Sequence, residues 1–269
     1  MQDSNGNLSA LNAFMQQKFK SAAIYNGSDL KQVYLSRPNV QMVQSVLSQE
    51  QWNYLFPFAN QIYDYQSFLM AVAKFPAFCL EGDANLCKRE LSTFFAQTTH
   101  ECGMEESWQA IPTWRQGFYY ITEKACTPQT GAPICDYKSD GQSAIWWPPR
   151  SGVQYFGRGP FQLSWNYNYG QFSTAEFGDQ NVLLANPDLV GKDGYTAFSS
   201  AMWFYMTPQA PKPSMHEIAT KLYVPSAYDV SQGLGSVFGA TTMVINGGLE
   251  CTTPDGQENG NSQLRSSYY

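Results

Sequence analysis

The stretch ELSTFFAQTTHE, residues 90–101, decides the class of fold. Leu91, Phe94, Phe95 and Thr98 fall at i, i+3, i+4 and i+7, the spacing of one helix face. Glu101 follows Phe94 by two helical turns, so a carboxyl group projects from the apolar stripe itself. Working outward, residues 193–206 carry a second strong helix. Asp193 is placed to cap its start and Pro208 to end it. Phe198, Met202, Trp203, Phe204 and Met206 cover nearly its whole circumference, which predicts a buried central helix. Residues 41–75 repeat the helical period through Val43, Val46, Leu47, Tyr63, Phe68, Leu69 and Val72. Residues 11–20, LNAFMQQKFK, read as a short helix, and the tail reads as the start of another that stops at Tyr269. Residues 126–153 are rich in Pro, Gly and Ser and read as an ordered loop. Residues 244–251 read as a Gly-containing turn. In 155–170, Phe161 and Leu163 alternate with Gln162 and Ser164, which predicts an extended segment with both polar groups on one face. No segment gives a run of strands, so the fold class is mainly α.

The chain has 269 residues, which allows one large domain or two small ones. Its 43% hydrophobic and 15% aromatic content exclude a disordered chain. A net charge of −6 without a dense Lys/Arg run excludes nucleic acid and anionic lipid as partners. No run of 18 apolar residues offers a membrane span. Many aromatics with only 14% charged residues suit a neutral, hydroxyl-rich ligand such as a carbohydrate. The polar start MQDSNGNLSA contains no apolar run, and a secretory leader is expected to have been removed ahead of it.

Six cysteines bear on the compartment. Cys79 and Cys87 bracket one loop-like segment, and Cys126 and Cys135 bracket another. An even count with two close pairs predicts the disulfides Cys79–Cys87 and Cys126–Cys135 and an oxidising, extracellular setting. The alternative is six thiols in a reducing cytosol. A bridge between Cys102 and Cys251 is also compatible with the sequence. With two histidines and no CxxC pair, no metal site is expected.

Cleaving a glycosidic bond by acid–base chemistry needs two carboxyl groups in different surroundings. Glu101 fits the acid, at the end of an apolar helix face. Glu105 and Glu106 follow in a loop-like setting that suits solvated charge. Glu123, in GFYYITEKA, is not distinguishable by its own surroundings from a surface glutamate.

Three longer stretches resemble the signatures of glycoside hydrolase family 19: FFAQTTHE (94–101), YFGRGPFQLSWNYNYG (155–170) and INGGLEC (245–251). NPDLV (186–190) and MWFYMTPQAPKPS (202–214) add to the match. The resemblance covers residues 42–269, a catalytic domain, and leaves 1–41 as an N-terminal extension. It implies a two-lobed, lysozyme-like fold with a central cleft. It also implies an endochitinase that hydrolyses β-1,4-linked N-acetylglucosamine polymers with inversion and without a cofactor. By the resemblance Glu101 is the general acid, Glu123 the general base, and Ser164 helps hold the attacking water. Gln162, Tyr167, Asn168, Asn246 and Arg265 are implied as sugar contacts.

The sequence departs from the family pattern in three places. Cys102-Gly103 follows the catalytic His-Glu pair where Thr-Thr-Gly-Gly is usual. Ser199 stands where a Lys is common, which removes one expected cationic sugar contact. The partner usual for Cys251 falls beyond Tyr269. The protein is expected to act as a monomer on chitin or chitooligosaccharide. A peptidoglycan-cleaving lysin of the same fold and a non-catalytic chitin-binding protein are the competing readings.

Overall fold

In the computed structural model, residues 21–126, 135–209, 212–231, 235, 237–251 and 259–269 are described. The helix expected at 11–20 lies outside these residues. The periodic stretch 41–75 resolves into three helices: α1 (Pro38–Val46), α2 (Gln49–Leu55) and α3 (Tyr65–Lys74). Ser48 and Gln51 form a reciprocal capping box at the start of α2, and Asp64 accepts from Ser67 N at the start of α3. The opening stretch lies inside α4 (Ala84–Cys102), whose first turn is capped by Asp83. After it come α5 (Gly141–Trp146), α6 (Asn166–Phe177), α7 (Gly194–Met206), α8 (Met215–Ala219), α9 (Phe238–Glu250) and α10 (Gly260–Tyr268). Among the described residues β-structure is limited to three isolated bridges, Thr122–Arg158, Arg158–Leu163 and Gln209–Lys212. The mainly helical reading holds.

Trp52 of α2 sits at the hub of the core. Its ring stacks on Phe118 at 5.4 Å and meets Phe56, Phe68, Phe95 and Phe198 edge-on or tilted. These rings come from α2, α3, α4, α7 and the chain after α4, so one aromatic cluster welds these elements to the long helix α4. As expected, α7 is buried almost all round and Asp193 caps it. Its first residue must be glycine, because a Cβ on Gly194 would lie 1.9 Å from the Ile62 carbonyl oxygen. Both close cysteine pairs, Cys79–Cys87 and Cys126–Cys135, are disulfides. No disulfide joins Cys102 to Cys251. Cys102 ends α4 in the core, where its thiol donates to Thr98 O and burial pushes its pKa far up, while Cys251 lies at the surface past α9.

Three local expectations change. Residues 244–251 are not a turn but the second half of α9, broken at Asn246, whose φ of −142° and ψ of 29° are non-helical. Of the glycine pair that signalled a turn, Gly247 leaves room for the Met243 side chain, since a Cβ there would meet its Sδ at 2.9 Å, and Gly248 faces open space. The stretch 126–153, where described, contains α5, which starts at Gly141 with φ +57°. Gln162 is not extended. It closes a tight turn, with φ +48° and its N–H donating to Gly159 O. The alternation of burial nevertheless survives, with Phe161 and Leu163 inside.

Residues 21–41 pack on the rest of the chain. Tyr25 N donates to Lys74 O, and Leu30 and Val40 join the core.

Candidate active site

Glu101 occupies the last turn of α4 and opens into a cleft with a cavity volume of about 280 Å³. The facing wall is the 161–168 segment, from which Gln162, Ser164, Tyr167 and Asn168 line the cleft. Asn246, at the break in α9, lines it from the other side. Five of the residues expected to touch water or sugar therefore share one wall system with the expected acid. The cleft also takes Trp165, Phe204, Gln209, Lys212 and Ile245, which sequence reasoning did not single out. Phe204 to Lys212 fall inside the quoted stretch 202–214, but nothing in their spacing marked them as cleft residues.

Behind Glu101 lies a buried ionic network. Arg265 of α10 is 1% exposed. Its guanidinium grips Glu250 with two parallel bonds of 2.8 and 2.7 Å, donates to Gln97 Oε1 at 2.8 Å, and donates to Glu101 Oε1. Gln97 is held in turn by Thr241 and Thr242 of α9. Asn246 Nδ2 donates to Glu250 Oε1 at 2.7 Å. Burial would raise the Glu250 carboxyl, but the hydrogen bonds from Arg265 and Asn246 and the Arg265 charge outweigh it, and its pKa is lowered. Burial also opposes the charge on Arg265, and Glu250 and Glu101 more than offset it. Arg265, expected as a sugar contact, lies buried beside Glu101 and donates to Glu250, Gln97 and Glu101. Glu250 was not anticipated, because a glutamate after two glycines carries no signal of a buried ion pair four residues from Asn246.

Glu123 does not line that cleft wall. It lies on a strap that closes against the same segment. Its N–H donates to Gly157 O at 2.9 Å, and Gly157 N donates to its Oε2 at 3.1 Å. Gly157 has to be glycine here, because a Cβ would lie 2.9 Å from Gln162, the cleft residue. The other carboxylate oxygen accepts from Tyr137 OH at 2.8 Å. Burial, followed by the bond and charge of Glu123, pushes Tyr137 up to about 12, which keeps the phenol protonated as a donor. The Tyr137 ring in turn stands edge-on to Trp165 in the cleft. The disulfide Cys126–Cys135 joins the chain just after Glu123 to the chain just before Tyr137. The segment 155–165 is organised by Arg158, which is 2% exposed and donates to Asp188, Gln154 O, Phe156 O and Tyr169 OH.

Two buried polar atoms on cleft residues lack protein partners: Asn168 Oδ1, an acceptor, and Gln209 Nε2, a donor. Ser199 is fully buried inside α7 and faces no cleft. The cation that lines the cleft is Lys212, the only one to do so among the described residues. Glu105 pairs with His100 at 3.0 Å, and Glu106 accepts from Trp108 Nε1, so both have structural partners away from the cleft wall. Among the described residues no cluster of His, Cys, Asp and Glu has the arrangement of a metal site, and no helix is long and apolar enough to cross a membrane.

The family described as Chitinase class I, glycoside hydrolase family 19, matches residues 41–269. The chain belongs to this family. Endochitinase CH25 of Brassica napus is 42% identical over 193 residues, 72% of this chain and 56% of that one. Endochitinase 2 of Gossypium hirsutum is 42% identical over 193 residues, covering 72% and 60%. The chain thus spans little more than half the length of these relatives. Inactive chitinase-like protein 1 of Hevea brasiliensis is 41% identical over 195 residues, covering 72% and 57%. Among solved structures, the class IV family 19 chitinase of Zea mays aligns with a TM-score of 0.59 at 29% identity, over 85% of this chain and 91% of that one. Chitinase C of Streptomyces griseus aligns with a TM-score of 0.56 at 30% identity, over 83% and 73%. Because an inactive relative is as similar as the endochitinases, family membership alone does not decide activity. The side chains at the cleft do.

Proposed function

We propose that this family 19 protein is an endochitinase that cleaves β-1,4 bonds between N-acetylglucosamine units with inversion, its catalytic unit being residues 42–269. The observation that carries the reading is the cleft wall that joins Glu101 to Gln162, Ser164, Asn168 and Asn246, with Glu123 tied to the same segment. Glu101 is the acid. Arg265 occupies its Oε1, so the proton that passes to the leaving glycosidic oxygen rides on Oε2. Glu123 is the base that takes a proton from the water attacking the anomeric carbon on the opposite face, with Ser164 holding that water. Positive charge that develops on the sugar ring is supported by the two carboxyl groups.

The two disulfides support secretion, and the protein acts there as a monomer. The test is proton NMR of freshly cleaved N-acetylglucosamine hexamer. The first product is expected as the α-anomer. Exclusive β-anomer at early times would overturn the inverting mechanism, and absence of any cleavage would place this chain with the inactive relatives.

A further inference from the structure

The strap that carries Glu123 also borders a second groove. Its cavity volume is about 360 Å³, and Phe58, Asn60, Tyr119, Tyr120, Thr122 and Lys124 line it. It shares no lining residue with the cleft. Its size falls within the roughly 300–1,000 Å³ usual for small-molecule sites. The groove is tied to the elements that carry both carboxyl groups. Tyr119 N and Tyr120 N both donate to Cys102 O, one residue past Glu101 at the end of α4, at 3.0 and 2.8 Å. Tyr63 OH donates to Tyr120 O at 3.2 Å, and Asn60 N donates to Phe118 O at 2.8 Å. Glu123 stands between Thr122 and Lys124 in the chain, but its carboxylate oxygens are turned to Tyr137 and Gly157. Among the described residues no carboxylate lines the groove.

What the groove presents is aromatic and nearly uncharged. The Tyr119 and Tyr120 rings meet edge-on, their centroids 4.9 Å apart and their planes at 88°. An edge-on pair leaves ring faces uncovered, and Tyr119 is 39% exposed. Asn60 Oδ1 accepts from Ile62 N at 3.3 Å, which leaves the amide NH2 group to donate to a ligand. Lys124 Nζ stands 5.5 Å from the Tyr120 ring centroid and adds further donors. Flat apolar faces beside a few donors suit a pyranose ring, whose C–H face is apolar and whose hydroxyl and acetamido oxygens accept. A net charge of −6 and a single lining cation disfavour an anionic polymer. We propose that this groove is a second, non-catalytic binding site for N-acetylglucosamine chains, lying outside the cleft on the strap that bears Glu123. A chain held there stays near the cleft after a cut product leaves. The effective concentration of polymer at the cleft rises with no new contact to the reacting atoms.

The proposal rests on the chitinase reading, and the experiment separates the two. Glu101→Gln protein is titrated with N-acetylglucosamine trimer while amide NMR shifts are followed. Ser164 and Asn168 report the cleft; Asn60, Tyr119 and Lys124 report the groove. Two sets of shifts with separate dissociation constants are expected. Binding to insoluble chitin is then compared in the same background with and without Tyr119→Ala or Tyr119→Phe, after circular dichroism has checked each fold. Tyr119→Ala is expected to weaken that binding by about 5- to 30-fold, the loss usual for an aromatic anchor. Tyr119→Phe keeps the ring face and is expected to bind like its parent. With Glu101 restored, Tyr119→Ala is expected to raise KM on the polymer and to leave kcat on the hexamer near wild type. Groove amides that do not move, or Tyr119→Ala protein that binds chitin like its parent, would overturn the proposal. So would groove amides that answer to inorganic phosphate and not to the trimer, which would make this an anion site. A loss of hexamer kcat in Tyr119→Ala would overturn it as well, by making the groove part of the catalytic cleft. A wild type silent on the hexamer, whose groove amides still answer to the trimer, would refute hydrolysis and uphold the binding site.

Discussion

Glu101 and Glu123 are held by different kinds of partner. Glu101 has one oxygen against a guanidinium whose charge is shared with Glu250, and the other toward the cleft. Glu123 has each oxygen held by a neutral donor, Tyr137 OH and Gly157 N, which fixes its direction without a neighbouring cation. The roles separate by leaving group. An aryl glycoside of an acidic phenol needs little protonation, so Glu101→Gln is expected to lose most activity on natural oligomers and recover a larger share on the aryl substrate. Water activation cannot be replaced by a better leaving group. Glu123→Gln is therefore expected to fall by roughly 10²–10⁴-fold on both substrates alike. Rescue of Glu123→Gln but not Glu101→Gln would reverse the assignment. Near wild-type rates for Glu123→Gln would move the base elsewhere.

At the scale of elements, the site is built from one long helix and several short straps, and this decides what could be read in advance. α4 and α7 were legible because their apolar periodicity is strong and tertiary packing agrees with it. The break in α9 was not, because two glycines inside a helix and two glycines in a turn look alike in sequence. Arg265 was singled out by its motif, and its burial and its partners Glu250 and Gln97 were not, since a motif match reports presence and not the direction of a side chain. The strap 123–137 was partly legible through its cysteines. Its disulfide closes the nine-residue separation between Cys126 and Cys135, inside the 14 residues from Glu123 to its partner Tyr137, so it serves position as well as stability. Cys79–Cys87, by contrast, closes the loop before α4, far along that helix from Glu101. Each bridge is expected to contribute about 2–4 kcal/mol in the chain-entropy view. Serine pairs at 79 and 87 should therefore lower the melting temperature while kcat at 20 °C or so stays near wild type. Serine pairs at 126 and 135 should lower both, with Tyr137→Phe reproducing part of the kcat loss. Equal kcat losses for the two bridges would refute a positioning role for Cys126–Cys135.

Across the whole molecule, a few buried ionic contacts tie helices to one another. Lys74 of α3 pairs with Glu176 of α6 at 2.8 Å with both side chains nearly covered. His216 of α8 is fully buried, its Nδ1 against Glu90 of α4 and its Nε2 4.0 Å from Glu81. Glu90 also accepts from Cys79 N, so the imidazole, the catalytic helix and the first disulfide loop share one carboxylate. Burial disfavours the imidazolium, yet the charge and hydrogen bond of Glu90, with Glu81 and Glu217 behind it, prevail and raise its pKa. In the unfolded chain the imidazole titrates near its ordinary value of about 6.5. Below that pH both states are protonated and the contact contributes its full stability. As pH rises above it the unfolded state gives up its proton while the folded state keeps its own, so the contribution shrinks until the raised folded pKa is passed. Urea midpoints measured from pH 5.5 to 8.5 are thus expected to fall more steeply with pH for the wild type than for His216→Gln. The difference between the two slopes isolates His216 from every other titrating group. Parallel slopes, or a wild type that gains on the variant as pH rises, would show that the buried imidazole is neutral in the folded protein and that its contact with Glu90 adds no pH-dependent stability.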